Sequence, residues 1–420
     1  MIPASPLQQA PVSLPRQLID SDALSVCRRL QGGGFIAYLV GGCVRDIILG
    51  RTPKDFDVAT SATPNEVRGL FRNCRIIGRR FRLAHIHFGS KIIEVATFRG
   101  GDVNEDDADA VAEEGDRLII RANNFGTPEQ DAESRDFTIN GLFYDPIEQK
   151  LIDNVNGYVD VSAHMIRTIG DPDIRFQEDP VRILRGIKFA ARLGFELHPD
   201  TLAAMGNVGD DISRCPIPRV TEEMYRLTES NHTSAVMRLL HETGVMSVVF
   251  PEISEYLENH SSEYFRYLEV VDQMATAHGG VPRTLVMSLL FYPIALQRVL
   301  DAGVAPGPSW GKYTQEWFNP IGMRMHVAVK HRIRLGAIMS LMGRFMAPQG
   351  QRRRHRMATA ERYALPQALT LLRLKHRLEG GCEEIYQTWR ELARDEDISW
   401  VPTAEEPRQQ KTRTRRKRRR

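Results

Sequence analysis

Two aspartates that alternate in the segment DFDVAT (55–60) are suited by type and spacing to bind a divalent cation. The segment predicts a strand, in which Asp55 and Asp57 would share one face about 6.6 Å apart, at a rise of roughly 3.3 Å per residue. Phe56 and Val58 would face a core. Carboxylates that close repel each other unless a cation neutralises them, and their hard oxygens suit Mg²⁺, with Mn²⁺ as the alternative. Alone, the pattern is also typical of a polar strand edge that faces solvent.

A glycine pair lies about fifteen residues upstream of these aspartates. Gly41 and Gly42 stand between a strand candidate, IAYLV (36–40), and a helix candidate, CVRDIILG (43–50). Glycines at that place permit positive φ and let backbone N–H groups approach an anion at the positive end of a helix. A phosphate cradle followed by a carboxylate pair predicts a nucleotide site. Its two-metal chemistry would activate a hydroxyl and neutralise departing pyrophosphate in an in-line displacement.

A third carboxylate usually completes such a site, and the sequence offers two candidates. Glu94 lies in the strand candidate KIIEVATF, which could pair beside DFDVAT. Asp136 lies in SRDFTIN, just after a loop that contains Gly and Pro. Spacing alone does not choose between them.

The elements around these residues predict a small α/β head and a long helical remainder. Strand candidates rich in β-branched residues continue with CRIIG, AHIHFG and KIIEVATF, and Thr63 with Pro64 and Glu66 predicts a capped helix start. Beyond residue 160 helical periodicity continues to about residue 395, interrupted by a Pro/Gly/Trp-rich stretch at 301–322.

At this point the motifs resemble a known family. GGCVRD, KDFDVAT, IIGRRFRLAHIHFG, KIIEVATFR, SRDFTIN and EDPVRILRGIKFAARLGF occur in the order seen in class II tRNA nucleotidyltransferases and bacterial poly(A) polymerases, over about residues 36–200. The resemblance implies a multidomain α+β protein, with a DNA polymerase β-like α/β nucleotidyltransferase head followed by an all-α neck and body. It also implies catalytic roles for Asp55, Asp57 and Asp136, with Asp55 and Asp57 as the metal ligands.

The resemblance also divides the chain and places nucleotide contacts on it. It implies a flexible N-terminus at 1–20, a catalytic head at 21–160, a nucleotide- and RNA-binding neck at 161–230, an RNA-binding body at 231–400 and a disordered basic tail at 401–420. The nucleotide-binding residues that it implies are Gly41, Gly42, Arg45, Arg135, Asn140, Asp179, Arg182 and Arg185.

The neck motif EDPVRILRGIKFAARLGF also predicts the start of a helix from its residue types. Asp179 can cap a helix and Pro180 suits its first position, while Arg182 lies three residues after Asp179 on the same face. The structural alternative is a surface ion pair between Asp179 and Arg182, which would contribute only a few tenths of a kcal/mol. In the related CCA-adding enzymes the matching residues read the edge of the incoming base.

Two sister activities share these motifs, and the block at 76–89 favours one of them. There Arg82-Leu83-Ala84-His85 resembles the poly(A) polymerase version, so the expected reaction adds AMP from ATP to single-stranded RNA 3′ ends. Arg79, Arg80 and Arg82 are the expected RNA contacts, with a solvated basic face as the alternative. One departure from the family is Ser134, where a second Arg is more common before the RDF aspartate. The alternatives to AMP addition are CCA addition to tRNA and an inactive RNA-binding adaptor.

Charge distribution and composition indicate a partner and a compartment. The net charge of the 420-residue chain is +3, but its last thirteen residues, RQQKTRTRRKRRR, carry nine Lys or Arg and no acid, so the remaining 407 residues sum to 3 − 9 = −6. Such a tail binds phosphates without regard to sequence, or it only aids solubility. Five scattered cysteines, no secretion signal and no predicted membrane span favour a cytoplasmic protein. Docking to the RNA-decay machinery follows only from the resemblance.

Overall fold

A computed structural model of the chain describes residues 14–78, 82–100, 125–228, 231–278, 280–347 and 357–395. These form two compact units, one from Met1–Cys215 and Ala235–Val249, the other from Pro216–Ser234 and Phe250–Arg420. Several predicted features lie outside the described residues: Arg79, Arg80, most of the 1–20 segment and the basic tail at 401–420. The boundaries between head, neck and body stay predictions.

The first unit is built on a seven-stranded mixed sheet, which confirms the predicted α/β head. Its strand order is β3-β4-β5-β2-β1-β6-β7, and every neighbouring pair is antiparallel except β2 with β5. The strands are β1 Ala37–Val40, β2 Asp57–Thr60, β3 Cys74–Ile77, β4 Leu83–Phe88, β5 Lys91–Thr97, β6 Leu142–Asp145 and β7 Lys150–Asp153. A short parallel pair, β8 Met165–Ile166 and β9 Glu196–Leu197, lies where the sequence predicted only helices.

The helices make up most of the rest of the chain. From α9 onward they bear out the predicted helical body. They are, in chain order, α1 Ser21–Gly32, α2 Gly42–Ile48, α3 Pro64–Leu70, α4 Pro128–Ser134, α5 Gly157–Ser162, α6 Pro172–Glu178, α7 Val181–Leu193, α8 Pro199–Val208, α9 Ile217–Thr228, α10 Thr233–Glu242, α11 Val245–Val249, α12 Pro251–His278, α13 Arg283–Asp301, α14 Ser309–Arg324, α15 Val329–Met346, α16 Thr359–Glu379 and α17 Glu383–Asp395.

Helix α1 packs on β1 and β2 because its apolar residues recur at helical spacing. Asp20 caps it by accepting from the N–H groups of Asp22 and Ala23. The buried positions of α1 follow at intervals of three and four residues, Ala23, Val26, Cys27 and Leu30. The predicted start of α3 is confirmed, because Thr63 and Glu66 form a capping box with Pro64 in the first turn.

A second apolar cluster positions the segment that follows α4. Val40, Ala59, Phe98 and Phe143 pack with Ala132 of α4, and all five are buried. Another capping box, between Thr127 and Gln130, starts α4. Because α4 is anchored at both its start and its buried face, the SRDFTIN segment leaves it at a defined place beside β1 and β2.

The strand that carries Asp57 is shorter than predicted. β2 begins at Asp57, which pairs with Val40 of β1 and Glu94 of β5, whereas Asp55 lies in the bend before it. The physical reason is that β1 ends at Val40, where the chain turns away at Gly41, so the residues before Asp57 have no β1 partner. The expectation that both aspartates share a strand face was therefore wrong, although buried Phe56 and Val58 do anchor the segment.

In the helical unit, the predicted interruption at 301–322 was too long. The helix breakers Gly303, Pro306, Gly307 and Pro308 fall between α13 and α14, and helix resumes at Ser309 despite Pro320. Two aromatic residues of that stretch, Trp310 and Phe318, are buried.

Helix α13 contains Pro293, and a tyrosine compensates for it. A proline has no N–H, so the carbonyl of Leu289, four residues before Pro293, loses its helical partner. Tyr267 Oη donates to the Leu289 carbonyl at 2.9 Å, and Tyr264 Oη to the Leu290 carbonyl at 3.1 Å. Among the described residues this helix, Arg283–Asp301, is the one whose length and composition could cross a membrane, and 61% of that window is buried in the protein, as in a core helix.

Candidate active site

The turn between β1 and α2 is made by a glycine that no other residue could replace without strain. Gly41 has φ 72° and ψ −126°, and its N–H donates to the Leu142 carbonyl at 3.0 Å. A Cβ atom at Gly41 would lie 3.3 Å from Nη1 of Arg135. The turn therefore brings the beginning of α2 close to the Arg135 side chain.

Asp57 lies at the end of β2 nearest this turn, among charged neighbours. Its side chain is accessible to solvent, yet the surrounding protein excludes part of the bulk water. Burial, and then the negative charges of Glu94 and Asp55, raise the pKa of Asp57 to about 6, while Arg135 acts in the opposite direction. Three carboxylates and one guanidinium thus lie within electrostatic range of one another.

Glu94 is the direct neighbour of Asp57 in the parallel pairing of β5 with β2. Its carboxylate is exposed, and its Oε1 lies 3.6 Å from Nε2 of His85 on β4. The sequence left Glu94 and Asp136 as equal candidates for the third carboxylate. The register between β5 and β2 places Glu94 beside Asp57, and the Glu94 side chain is exposed to solvent.

Asp136 is buried and fully engaged. Its Oδ1 accepts from the Phe137 N–H at 2.9 Å and from Nδ2 of Asn140 at 3.2 Å. Its Oδ2 accepts from Nε and Nη2 of Arg185 at 2.7 and 2.6 Å. Burial alone would raise the pKa of Asp136, but the Arg185 charge and these hydrogen bonds hold it below its ordinary value. With about four acceptor positions on a carboxylate, four hydrogen bonds leave little capacity for a metal ion.

A buried polar chain connects Asp136 to α2. Asn140, which donates to Asp136, also accepts from Nη1 of Arg45 through its Oδ1 at 2.7 Å. Arg45 is 2% exposed and also donates to Oδ1 of Asp46 from Nε and Nη2. Two of the predicted nucleotide-binding residues, Arg45 and Asn140, therefore lie inside the protein and bond to other protein groups. Gly42, another of them, is the first residue of α2, three positions before Arg45.

Arg135 is the predicted nucleotide-binding residue that faces the carboxylates. Its Nη2 pairs with Oδ2 of Asp131 at 2.7 Å, and its guanidinium lies over the Phe143 ring at 5.3 Å. These contacts restrict its rotamers, while its side chain keeps 22% exposure and lowers the pKa of Asp57. Arg135 is therefore held in place as a cation between the Gly41 turn and Asp57.

The neck residues adopt a different pairing from the one that spacing suggested. Helix α7 begins at Val181, with Pro180 at the capping position, so the predicted start is one residue early. Asp179 accepts from the Val181 N–H at 3.3 Å, and Arg182 pairs with Glu178 at 2.8 Å. The acid that Arg182 contacts is Glu178, one turn before it, whereas the surface ion pair considered from spacing joined Arg182 to Asp179.

Sequence reasoning missed Arg175. Its Nη2 donates to the carbonyls of Arg135 and Ser134 at 2.7 and 3.0 Å, and its Nη1 pairs with Glu178 at 3.1 Å. It thereby fixes the end of α4 and the segment that carries Arg135. Its only sequence signal is its place in the RFQEDP run immediately before the neck motif.

The predicted RNA-contact arginines and the predicted metal site have less structural support. Arg82 is exposed at the start of β4, whereas Arg79 and Arg80 lie outside the described residues. In the part of the chain that is described, no group of three or more His, Cys, Asp or Glu side chains is already arranged as a metal site. All five cysteines are free thiols, as expected.

Comparison with known proteins identifies this architecture. Residues 37–167 match the poly A polymerase head domain, and residues 194–257 match the probable RNA and SrmB-binding site of polymerase A. Poly(A) polymerase I of Escherichia coli is 41% identical over 291 residues, 67% of this chain and 62% of that protein. The chain therefore contains a poly A polymerase head domain, and over about two thirds of its length it is similar to poly(A) polymerases.

Further relatives show how far the likeness extends. Poly(A) polymerase I of Haemophilus influenzae is 39% identical over 280 residues, 65% of this chain and 62% of that one. The CC-adding tRNA nucleotidyltransferase of Halalkalibacterium halodurans is 36% identical over 222 residues, 53% of this chain and 52% of that one. The chain spans about 62% of the length of these poly(A) polymerase relatives. The crystal structure of the Bacillus stearothermophilus CCA-adding enzyme has the same fold, with a TM-score of 0.65 and 24% identity over 90% of this chain and 82% of that one.

Proposed function

We propose that this protein adds AMP from ATP to the 3′ end of single-stranded RNA and releases pyrophosphate. The observation that carries the reaction type is the placement of Asp57 beside Glu94, with Asp55 just before the strand and the Gly41 turn next to it. The choice of AMP is supported by the higher identity to Poly(A) polymerase I, 41% over 291 residues against 36% over 222 for the CC-adding relative.

In the proposed reaction the RNA 3′-hydroxyl oxygen attacks the α-phosphorus of ATP. A new phosphodiester bond forms, the bond from the α-phosphorus to the bridging oxygen breaks, pyrophosphate leaves, and the hydroxyl proton is lost. Backbone N–H groups at the start of α2, after Gly41 and Gly42, would hold phosphate oxygens. Arg135 would neutralise charge on the same group, because Asp131 and Phe143 hold its guanidinium close to Asp57.

The carboxylates fit a divalent cation by their chemistry. Burial, and then the charges of Glu94 and Asp55, raise the pKa of Asp57 to about 6, so Arg135 by itself does not balance the negative charge of this cluster. We propose that Asp55 and Asp57 hold Mg²⁺, or Mn²⁺ in its place, and that Glu94 rather than Asp136 completes the set. When bound, the metal would supply charge neutralisation and a lower pKa for the attacking hydroxyl.

Recognition of the base is assigned to the neck. We propose that Asp179 and Arg182 meet the base edge of ATP, while Arg185 acts through Asp136 by holding the SRDFTIN segment. Arg82, with Arg79 and Arg80, would contact the RNA backbone. A cytoplasmic location and a role in marking RNA for decay complete the proposal, with decay proteins as the partners.

The test offers two RNAs and two nucleotide mixtures to the full chain. A generic single-stranded RNA and a tRNA without its 3′ end are incubated with Mg²⁺ and either ATP alone or ATP with CTP. Long A-tracts on the generic RNA are expected, and they should vanish in an Asp55→Ala plus Asp57→Ala variant. Use of CTP that stops after a fixed triplet on tRNA would instead identify CCA addition. No extension by the wild type on either RNA would indicate an RNA-binding adaptor.

A further inference from the structure

The helical unit contains a cavity that the proposed reaction does not use. It lies between α12, α13 and α16 and has a volume of about 220 Å³. Its wall is mostly apolar, and the residues that matter here are Val281, Pro282, Leu285, Tyr363, Pro366 and Gln367. Sites for drug-sized ligands are larger, about 300–1,000 Å³, so this cavity suits one flat ring system.

One polar atom in that wall lacks a hydrogen-bond partner. Gln367 donates from Nε2 to Oγ1 of Thr284 at 3.3 Å, but its Oε1 is shielded from solvent and has no partner within the described part of the chain. The nearby hydroxyl of Thr370 is used elsewhere, since it donates to the Pro366 carbonyl at 3.0 Å. A shielded amide oxygen is costly unless a donor reaches it, so this position calls for a ligand with an N–H or O–H group.

Beside this oxygen the cavity presents rings. Tyr363 lines it and is 72% exposed, which is unusual for so large a side chain, and the rings of Pro282 and Pro366 contribute to the same wall. The flat aromatic ring of Tyr363 can stack on the face of a planar ligand, and the proline rings add apolar surface beside it. The combination of apolar walls and one acceptor is the usual way of holding a base that has left its stack.

Cations are concentrated next to the cavity. Arg334 donates from Nη1 to the Tyr363 carbonyl, and Arg283 begins α13 immediately after Pro282. Burial, and then the charges of Lys330, Arg283 and Arg334, lower the pKa of His331, so the three cations converge on one small region. Glu222, which pairs with Arg283, compensates one of them. The remaining positive charge complements a phosphate chain attached to a ligand in the cavity.

We propose that this cavity binds a single unstacked base of the RNA, one that carries an exocyclic amine, with adenine as the base that the proposed reaction supplies. The RNA partner rests on the proposed function. The amine of adenine would donate to Oε1 of Gln367 once that side chain rotates toward the cavity. The faces of the base would contact Tyr363 and the proline rings, and the adjoining phosphates would lie near Lys330 and Arg334. Uracil has no exocyclic amine, and its ring N3–H lies between two carbonyl oxygens that would repel Oε1 of Gln367, so the cavity discriminates against it.

The test measures equilibrium binding of labelled oligo(A) and oligo(U) of equal length to the full chain by fluorescence anisotropy, without ATP or divalent cation. Gln367→Leu should weaken oligo(A) binding about fivefold and leave oligo(U) unchanged, because a single neutral hydrogen bond is lost. Tyr363→Ala should weaken oligo(A) binding about tenfold through loss of stacking. Gln387→Leu is the matched control, since that exposed glutamine of α17 donates to Oε1 of Glu383 on its own helix, does not line the cavity and should change neither affinity.

Two results would overturn the proposal: Gln367→Leu weakens both oligonucleotides equally, or it weakens neither while thermal unfolding shows a folded protein. An apolar partner in the cavity would give the second result. The outcome is separable from that of the proposed function. A chain that binds oligo(A) through Gln367 but adds no AMP keeps this site and loses the reaction, whereas one that adds AMP with unchanged Gln367→Leu binding loses only this site.

Discussion

The pKa values of two carboxylates of the head, Asp57 and Asp136, are shifted in opposite directions from the ordinary value, and this difference separates their roles. Burial and neighbouring acids raise the pKa of Asp57 to about 6, whereas Arg185 and Asn140 hold the pKa of Asp136 below its ordinary value. A carboxylate that is short of positive charge attracts a cation, and one already paired with a guanidinium does not. Environment rather than residue type therefore distinguishes a metal-ligand candidate from a framework residue.

The raised pKa of Asp57 predicts a pH-dependent stability for protein freed of divalent cations. Because the folded state binds this proton more tightly than the unfolded state, the stabilisation is present below about pH 4 and is lost as the pH rises through about 6. Asp57→Asn should therefore raise the free energy of unfolding at pH 8 by about 1 kcal/mol, a value reduced for solvent screening of an accessible group. Thermal unfolding in EDTA at pH 4 and pH 8 checks this, and an equal effect at both pH values would contradict it.

The third carboxylate can be identified by separating activity from stability. Glu94→Gln should lower nucleotide addition at least about a hundredfold, as for loss of a metal ligand or its support, and leave the melting temperature nearly unchanged. Asp136→Asn removes the charge of a buried carboxylate that pairs with Arg185, so it should lower the free energy of unfolding by about 3 kcal/mol. Unchanged activity in a folded Glu94→Gln variant would instead indicate Asp136 as the third carboxylate.

At the scale of elements, the β1–α2 turn depends on backbone conformation and on free space. Gly41 and Gly50 both have positive φ, 72° and 68°, but a Cβ atom would approach Arg135 at Gly41 and would have nothing within 4 Å at Gly50. Gly41→Ala should cost about 2 kcal/mol or more and displace Arg135, so KM for ATP should rise about tenfold. Gly50→Ala is the control for backbone strain alone, and an equal change in KM there would refute the link to Arg135.

Helix α13 gives a second prediction at this scale, from the partnership between Pro293 and Tyr267. Tyr267→Phe leaves the Leu289 carbonyl without a donor and should lower the free energy of unfolding by about 1–2 kcal/mol. In a Pro293→Ala background the restored N–H can serve that carbonyl, so the same change should cost less. Urea unfolding of the four proteins of this double-mutant cycle measures the coupling, and strict additivity would contradict the explanation.

At the scale of the whole molecule, charge is distributed very unevenly. Residues 408–420 carry +9 and the other 407 residues sum to −6, so most long-range attraction for RNA is expected from the tail. Its deletion should reduce the salt dependence of RNA binding, by up to about 0.7 in the log–log slope for each phosphate contact on a single strand. Binding of ATP, measured by calorimetry, should not change. An unaltered slope would leave the tail only a solubilising role.

The sequence by itself determined the class of fold and the resemblance to known nucleotidyltransferases, and it predicted the composition of the site. Motifs in a fixed order revealed the nucleotidyltransferase head, glycine and proline marked the ends of α2 and α3, and the alternation around Asp57 indicated a strand. These features are local, because turns, caps and strand patterns depend on residues a few positions apart.

Tertiary structure alone decided which of these residues meet. Register between β2 and β5 places Glu94 beside Asp57, and long-range contacts take Arg45, Asn140 and Asp136 into the interior. Sequence spacing carried no information on pairing between strands some forty residues apart, so it left the choice between Glu94 and Asp136 as the third carboxylate open. Which side chains face solvent and which neutralise one another follows from packing, because the free energy of a buried charge depends on neighbours that only the folded chain brings together.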